Sequence, residues 1–305
     1  MDKLKLYYFL VFVLVSCQLE ESNYNAKYLP FTNQFLEKRG YNLLEPTETF
    51  VLPETLTEIS ALALVNDSTV ACVEDESGVI FLFSLSKGKM VDQLRFAGPG
   101  DYEGLELVGD LAYVLKSNGN LYEYSFSDMT TNTIKTPLKR SNNPEGLAYD
   151  SANHRLLIAC KGKPGLGDNK MDGKAIYSYH LDHGFNSTPT FHLTSDDLKS
   201  WNEQQELPIN LTKRKTGFMP SAVGIHPLTG DIYVLATVGK LLIILDANGA
   251  IKDCMPLSPR VFRQPEGICF TSKGDLVISS EGQDGNGKIQ FFKRTKGMNT
   301  NLSKE

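Results

Sequence analysis

From about residue 46 the chain alternates short apolar runs with clusters of Gly, Asn, Asp and Pro. Runs such as residues 79–84 (VIFLFS) and 241–245 (LLIIL) are too short for amphipathic helices. They are rich in β-branched and aromatic residues, so they predict strands separated by tight turns. Two stretches depart from this pattern. Residues 195–205 (SDDLKSWNEQQ) open with a Ser/Asp cap signal and predict a helix. Residues 32–40 (TNQFLEKRG) predict another short one, stopped by Gly40.

The strand pattern itself repeats. Units beginning near Thr57, Tyr102, Pro144, Pro220 and Pro265 each read as strand, turn, second strand, Gly-rich turn and third strand. A fourth strand follows in most, at residues 89–96, 132–138, 189–194 and 250–257. The unit heads carry Glu58, Glu103, Glu145, Ser221 and Glu266. Between 145 and 221 the spacing is stretched by a loop at 163–173 and an insertion at 195–219. Four-stranded units with a period of about 40 residues predict a β-propeller. The fifth unit lacks its fourth strand, and residues 47–53 (TETFVLP), just before the first head, can supply it. Closing the ring this way also removes exposed sheet edges. The expectation is an all-β propeller of five four-stranded blades over residues 46–294. A six-bladed ring would need a disguised blade within 170–219, where only two strands are convincing.

The N-terminus bears on location. Lys3 and Lys5 precede an apolar stretch from Leu6 to Val15, too short to span a bilayer as a mature helix. Leu14-Val15-Ser16-Cys17 resembles the lipobox of bacterial lipoproteins. That resemblance implies removal of residues 1–16 and lipid attachment at Cys17, where several acyl chains anchor durably. An ordinary signal peptide or a short membrane anchor is the alternative. Residues 17–45 then read as a tether and 295–305 as a disordered tail. Gln18-Leu19-Glu20-Glu21 resemble surface-export signals of some Gram-negative lipoproteins, which places the protein in the cell envelope, at the outer membrane. The other cysteines, Cys72, Cys160, Cys254 and Cys269, lie inside apolar runs with no CxxC pair and read as buried free thiols.

The net charge of -5 comes without a basic stripe, which argues against a nucleic-acid partner. HExxH, GxSxG and P-loop patterns do not occur. Candidate chemistry comes instead from the topology. In a propeller the start of each innermost strand and the end of the next strand share one face. Glu58, Glu103, Glu145, Ser221 and Glu266 are the starts; Glu74, Lys116, Lys161, Thr237 and Glu281 are the ends. Arg263 lies close by in sequence. One mouth of the channel therefore gathers up to six carboxylates and two ammonium groups. Crowded carboxylates raise one another's pKa or recruit a hard cation such as Ca²⁺ or Mg²⁺. The same residues can serve as a packing device, with Gly104, Gly146 and Gly267 giving room near the axis. Two Gly/Asp loops, 168–173 and 282–288, share the predicted face and read first as turns. His180 and His183 fall at a strand end away from the axis and read as surface residues.

The heads DYEGLEL, PEGLAYD and PEGICF, with TEISALAL opening the first unit, resemble the SdiA-regulated family of exported bacterial propellers. That resemblance implies no defined reaction. More distantly, the Glu-Gly heads are similar to gluconolactonase-like and esterase-like phytase propellers, in which axial acidic residues bind divalent metal. This implies a metal at Glu103, Glu145 and Glu266, with Glu58 as a fourth ligand lacking the Gly. Two functions follow. The first is a lipid-tethered binding module presenting one face to a glycan, peptide, protein or small molecule. The second is a metal-dependent hydrolase of lactones or phosphoesters. There Glu74 or Glu281 would be the base, and Lys116, Lys161, Lys163 and Arg263 the anion-facing cations. The binding module is the preferred reading.

Overall fold

The computed structural model describes residues 40–205 and 217–295. The expected signal peptide, Cys17, most of the tether, the helix at 32–40 and the tail from 296 lie outside them. The first strand, β1 (Glu48–Val51), leads into a short 3₁₀ turn at Glu54–Leu56. Four sheets then follow in chain order. Blade 1 is β2 (Ile59–Asn66), β3 (Thr69–Glu74), β4 (Val79–Ser84) and β5 (Lys89–Arg95). Blade 2 is β6 (Tyr102–Val108), β7 (Leu111–Lys116), β8 (Leu121–Ser125) and β9 (Thr130–Ile134). Blade 3 is β10 (Pro144–Asp150), β11 (Arg155–Cys160), β12 (Lys174–His180) and β13 (Gly184–Leu193). Blade 4 is β14 (Met219–Ile225), β15 (Ile232–Val238), β16 (Leu241–Leu245) and β17 (Ile251–Pro256). Blade 5 has only β18 (Pro265–Phe270), β19 (Leu276–Ser280) and β20 (Lys288–Phe292) from its own segment. Its outer position is filled by β1, antiparallel to β20 with Glu48 opposite Phe291 and Val51 opposite Lys288. The chain is a five-bladed propeller closed by an N-terminal strand.

The packing explains why the ring must close. There are five apolar clusters, and each joins two successive blades. One sets Leu157 and Ile176 of blade 3 against Val234 and Ile243 of blade 4. Another joins Val277 and Ile289 of blade 5 to Cys72 and Phe81 of blade 1. A sheet flanked on both faces is apolar on both faces, so the inner and middle strands read as continuous runs such as LLIIL, buried at every position. Outermost strands such as β5 and β9 are largely exposed and polar, while β17 keeps Asp253, Cys254 and Met255 buried. Cys72, Cys160, Cys254 and Cys269 are free and buried in these clusters, as their sequence setting predicts.

The one α-helix among the described residues, α1 (Ser195–Gln204), follows blade 3. Its N-cap is Thr194 rather than Ser195. The Thr194 hydroxyl accepts from the Asp197 amide, and the Asp197 carboxylate accepts from the Thr194 amide. Gly40 and Tyr41 fix where the chain enters the ring. The Tyr41 hydroxyl donates to the carbonyl of Gly274, in the turn joining β18 to β19, and the Thr295 amide donates to the Gly40 carbonyl at 2.8 Å. That turn lies at the end of an innermost strand, so Gly40 sits on the face opposite the strand heads.

Candidate functional site at the axial mouth

All five innermost strands share one irregularity at their heads. The pairing register slips between Ile59 and Ala61, Tyr102 and Gly104, Pro144 and Gly146, Pro220 and Ala222, and Pro265 and Gly267. A β-bulge leaves one residue unpaired and re-aims its side chain. The five skipped residues are Ser60, Glu103, Glu145, Ser221 and Glu266. Blade 1 therefore offers Ser60, and not Glu58, at the repeated position. Glu58 lies in the turn before β2, exposed at the rim. Ser60-Ala61 matches Ser221-Ala222 of blade 4, a pairing visible in the sequence but masked by a Glu two residues earlier.

The residue after each bulge faces the neighbouring blade. A Cβ on Gly146 would stand 2.7 Å from the Val223 amide nitrogen, and one on Gly104 2.9 Å from the Glu145 carbonyl oxygen. Blades 1 and 4 tolerate Ala61 and Ala222 there. The glycines thus serve inter-blade packing, while the glutamates beside them are free to turn to the axis.

Lys161 is the hub of the mouth. Its ammonium lies 2.8 Å from Glu145 Oε2, and Glu145 is 4% exposed. The amide of Asn143 donates to the other oxygen, Oε1, at 2.6 Å. Burial alone would push Lys161 down, but Glu266, Glu145 and Glu103 together hold it above its usual value. Lys161 thus feels carboxylates from blades 2, 3 and 5. One ammonium cannot neutralise three buried acids. Glu103 is pushed up to about 9 by burial, with Glu145 and Asp101 adding to the shift. Glu266 rises to about 7, again chiefly by burial, against the pull of Lys161. Glu145 is raised too, chiefly by burial, against the pull of Lys161 and Asn143. At neutral pH the mouth therefore holds Glu103 as a neutral acid and Glu266 near its midpoint, beside the Lys161–Glu145 contact.

The remaining expected residues take other places. Glu74 is buried and accepts from the amides of Glu76 and Ser77 at 2.9 and 2.6 Å, a turn-closing duty. Lys116 does not join the carboxylates; its ammonium stands over the Tyr102 ring, 5.3 Å from the centroid. Ser221 and Thr237 both donate to the Pro265 carbonyl, tying blade 4 to blade 5 by hydroxyls. Glu281 accepts from the Gln264 amide and is raised by burial and by Glu58. Arg263 donates to the Gly282 carbonyl at 3.4 Å, beside the mouth and off its axis.

Two acidic residues were not foreseen. Asp75 rises to about 6 through burial and its neighbours Glu58, Glu74 and Glu76. Glu106, also raised to about 7 by burial, accepts from the Leu107 amide at 2.9 Å and from the Tyr149 amide of the next blade at 3.0 Å. Its bond to Tyr149 ties blade 2 to the backbone of blade 3. Among the described residues no three His, Cys, Asp or Glu side chains converge to hold a metal ion. Both Glu145 oxygens are already taken by N–H donors, and the cation between the blades is Lys161, so this donor set does not fit a metal.

Comparison with known proteins follows the same lines. The family model described as SdiA-regulated matches residues 47–284. No curated protein matches significantly. Among solved structures, Myxococcus xanthus glutaminyl cyclase is similar with a TM-score of 0.53 and 14% identity, over 82% of this chain and 95% of that one. A streptogramin B lyase aligns with a TM-score of 0.48 and 12% identity over 80% and 97% of the two chains. The nidogen/laminin complex aligns at 0.48 and 16% over 73% and 72%.

Proposed function

This chain belongs to the SdiA-regulated family, and from that premise we propose that it is a lipid-anchored binding module of the cell envelope whose axial mouth takes a hydroxyl-rich ligand of the glycan class. The observation that carries this is Lys161 ringed by Glu103, Glu145 and Glu266 from separate blades. An ammonium, the carboxyl it pairs with and a neutral carboxylic acid in one cluster offer both donors and acceptors with little net charge. Entry of the chain at Gly40, opposite the mouth, supports the orientation. A tether running from Cys17 to that face would leave the mouth turned away from the membrane. The Leu14-Val15-Ser16-Cys17 run supports the anchor, and Gln18-Leu19-Glu20-Glu21 after it support the outer-membrane location.

The test is a glycan array probed with purified protein carrying Cys17→Ala. Retention of a defined glycan, lost in Glu145→Gln and in Lys161→Met, is the expected result. Retention of none would sink the reading. Calcium is a separate arm. The melting temperature of the Cys17→Ala protein should be indifferent to millimolar calcium, because Lys161 already supplies the cation. Adding Lys161→Met should make it calcium-dependent, since three acids would then lack a counter-ion. A calcium-induced rise with Lys161 in place would restore the metal site expected at Glu103, Glu145 and Glu266.

One observation favours a second reading, a hydrolase of lactones or phosphoesters. Glu103 keeps its proton beside the Lys161-paired Glu145, and a protonated carboxyl is what general acid catalysis uses. Turnover of any member of such a panel, abolished by Glu103→Gln, would establish it.

A further inference from the structure

Beside the mouth, where blade 5 meets its borrowed strand, lies a second concavity of about 270 Å³. It is lined by Arg260, Arg263 and Lys288, by Ser280 and Glu281 at the end of β19, and by Val51 and Val261. Three cationic side chains face one carboxylate here, in a protein whose net charge is -5. Such a concentration of positive charge focuses on an anion. Ser280 adds a specific donor. It is 3% exposed and lines the cavity, yet its hydroxyl has no hydrogen-bond partner among the described residues. A buried hydroxyl without a partner is costly unless a ligand completes it. Of the five N–H donors of Arg263, one goes to the Gly282 carbonyl.

The walls are held in place. The loop 281–287 is tied back by Gly282 N to Thr57 O at 2.8 Å, by Leu52 N to Gly287 O at 2.8 Å, and by Asn286 Nδ2 to Leu52 O at 2.7 Å. Glu281 also lines the cavity, next in sequence to the Gly282 carbonyl that Arg263 holds, with one oxygen accepting from Gln264. Glu58 adds negative potential at Glu281, so that carboxyl favours a cation beside it. Val51, 63% exposed on β1, gives the cavity an apolar edge that none of the described residues covers.

The geometry points to a site for a small zwitterion of the α-amino acid class. Its carboxylate would meet Arg263, Lys288 and the Ser280 hydroxyl, its ammonium would face Glu281, and a short apolar side chain would lie on Val51 and Val261. The volume suits such a molecule and lies below the range of drug-sized pockets. The cationic side of this site stands apart from whatever the axial mouth binds, because Arg260, Arg263 and Lys288 take no part in the mouth; Glu281 alone also feels Lys161.

The test uses two near-isosteric probes, L-valine and L-2-hydroxy-3-methylbutanoate, titrated calorimetrically into the Cys17→Ala protein. Valine should bind at least about tenfold more tightly than the hydroxy acid, the scale of one charge-assisted hydrogen bond. Arg263→Gln, at an exposed position that leaves the fold intact, should weaken valine binding by a similar factor or more. Glu281→Gln should erase the preference for valine, and Glu145→Gln at the mouth should change neither affinity. Equal affinity for the two probes would make this a plain anion site and overturn the assignment. Failure of both to bind at millimolar concentration would overturn it entirely.

Discussion

Glu103 sits where Glu145 already holds the nearest ammonium, so its own ionisation is the costlier one to bury. Its carboxyl is raised from the ordinary range to about 9 in the fold. A group with a raised folded pKa contributes stability that is fully present below its unfolded value and is lost as pH climbs to the folded one. Glu103→Gln should therefore lose less stability than the parent protein over the window from about 4.5 to about 9, the remaining loss coming from Asp75, Glu106 and Glu266. Thermal melts at a series of pH values check this, and parallel curves for the two proteins would contradict it. His226 has the opposite sign. It is fully buried against Tyr233 and Phe270, and burial lowers it from 6.5 to about 4. The unfolded chain binds the proton first, so stability falls as pH drops from about 6.5 towards 4, by a ceiling of roughly 3 kcal/mol. His226→Asn keeps an acceptor for the Leu228 and Thr229 amides that now point at Nδ1, and should flatten this acid limb.

Among the elements, the innermost strands show both how far the sequence could be read and where it stopped. The strand repeats and the missing last strand were enough to predict five blades and the borrowed β1. The bulge at each head was not legible, because it is a property of pairing between strands. It determines that Ser60 and not Glu58 occupies the blade 1 position. Glu106 escaped notice for a related reason: its partner is an amide of the next blade, 43 residues away in sequence. Lys116 and Lys161 end equivalent strands and looked interchangeable. An aromatic ring beside one and carboxylates beside the other separate them. Gly146 tests the strand geometry. Gly146→Ala would press a methyl onto the backbone of Val223, which cannot move without shifting blade 4, and should cost about 1–3 kcal/mol. Gly109→Ala, where nothing lies within 4 Å, has no such clash to relieve and pays only for its positive φ. Equal losses from the two, measured by chemical denaturation, would refute the inter-blade account.

For the molecule as a whole, closure and orientation follow from one short segment. Residues 40–51 dock Tyr41 between blades 4 and 5 and lay β1 along β20. Deleting them should expose the β20 edge, lower the melting temperature and promote aggregation, as light scattering would report. The same segment delivers the chain to the face opposite the mouth, and the proposed lipid attachment at Cys17 predicts that Cys17→Ala releases the protein from membranes while leaving mouth-directed binding unchanged. The central claim is that bulged strands from distant parts of the chain bring Glu103, Glu145 and Glu266 around Lys161. Side-chain carboxyl ¹³C NMR titration measures this most directly. Glu103 should titrate near pH 9 and Glu266 near 7, and both should move further up in Lys161→Met. Titration of both at an ordinary glutamate pKa, indifferent to Lys161, would mean that the five heads do not meet.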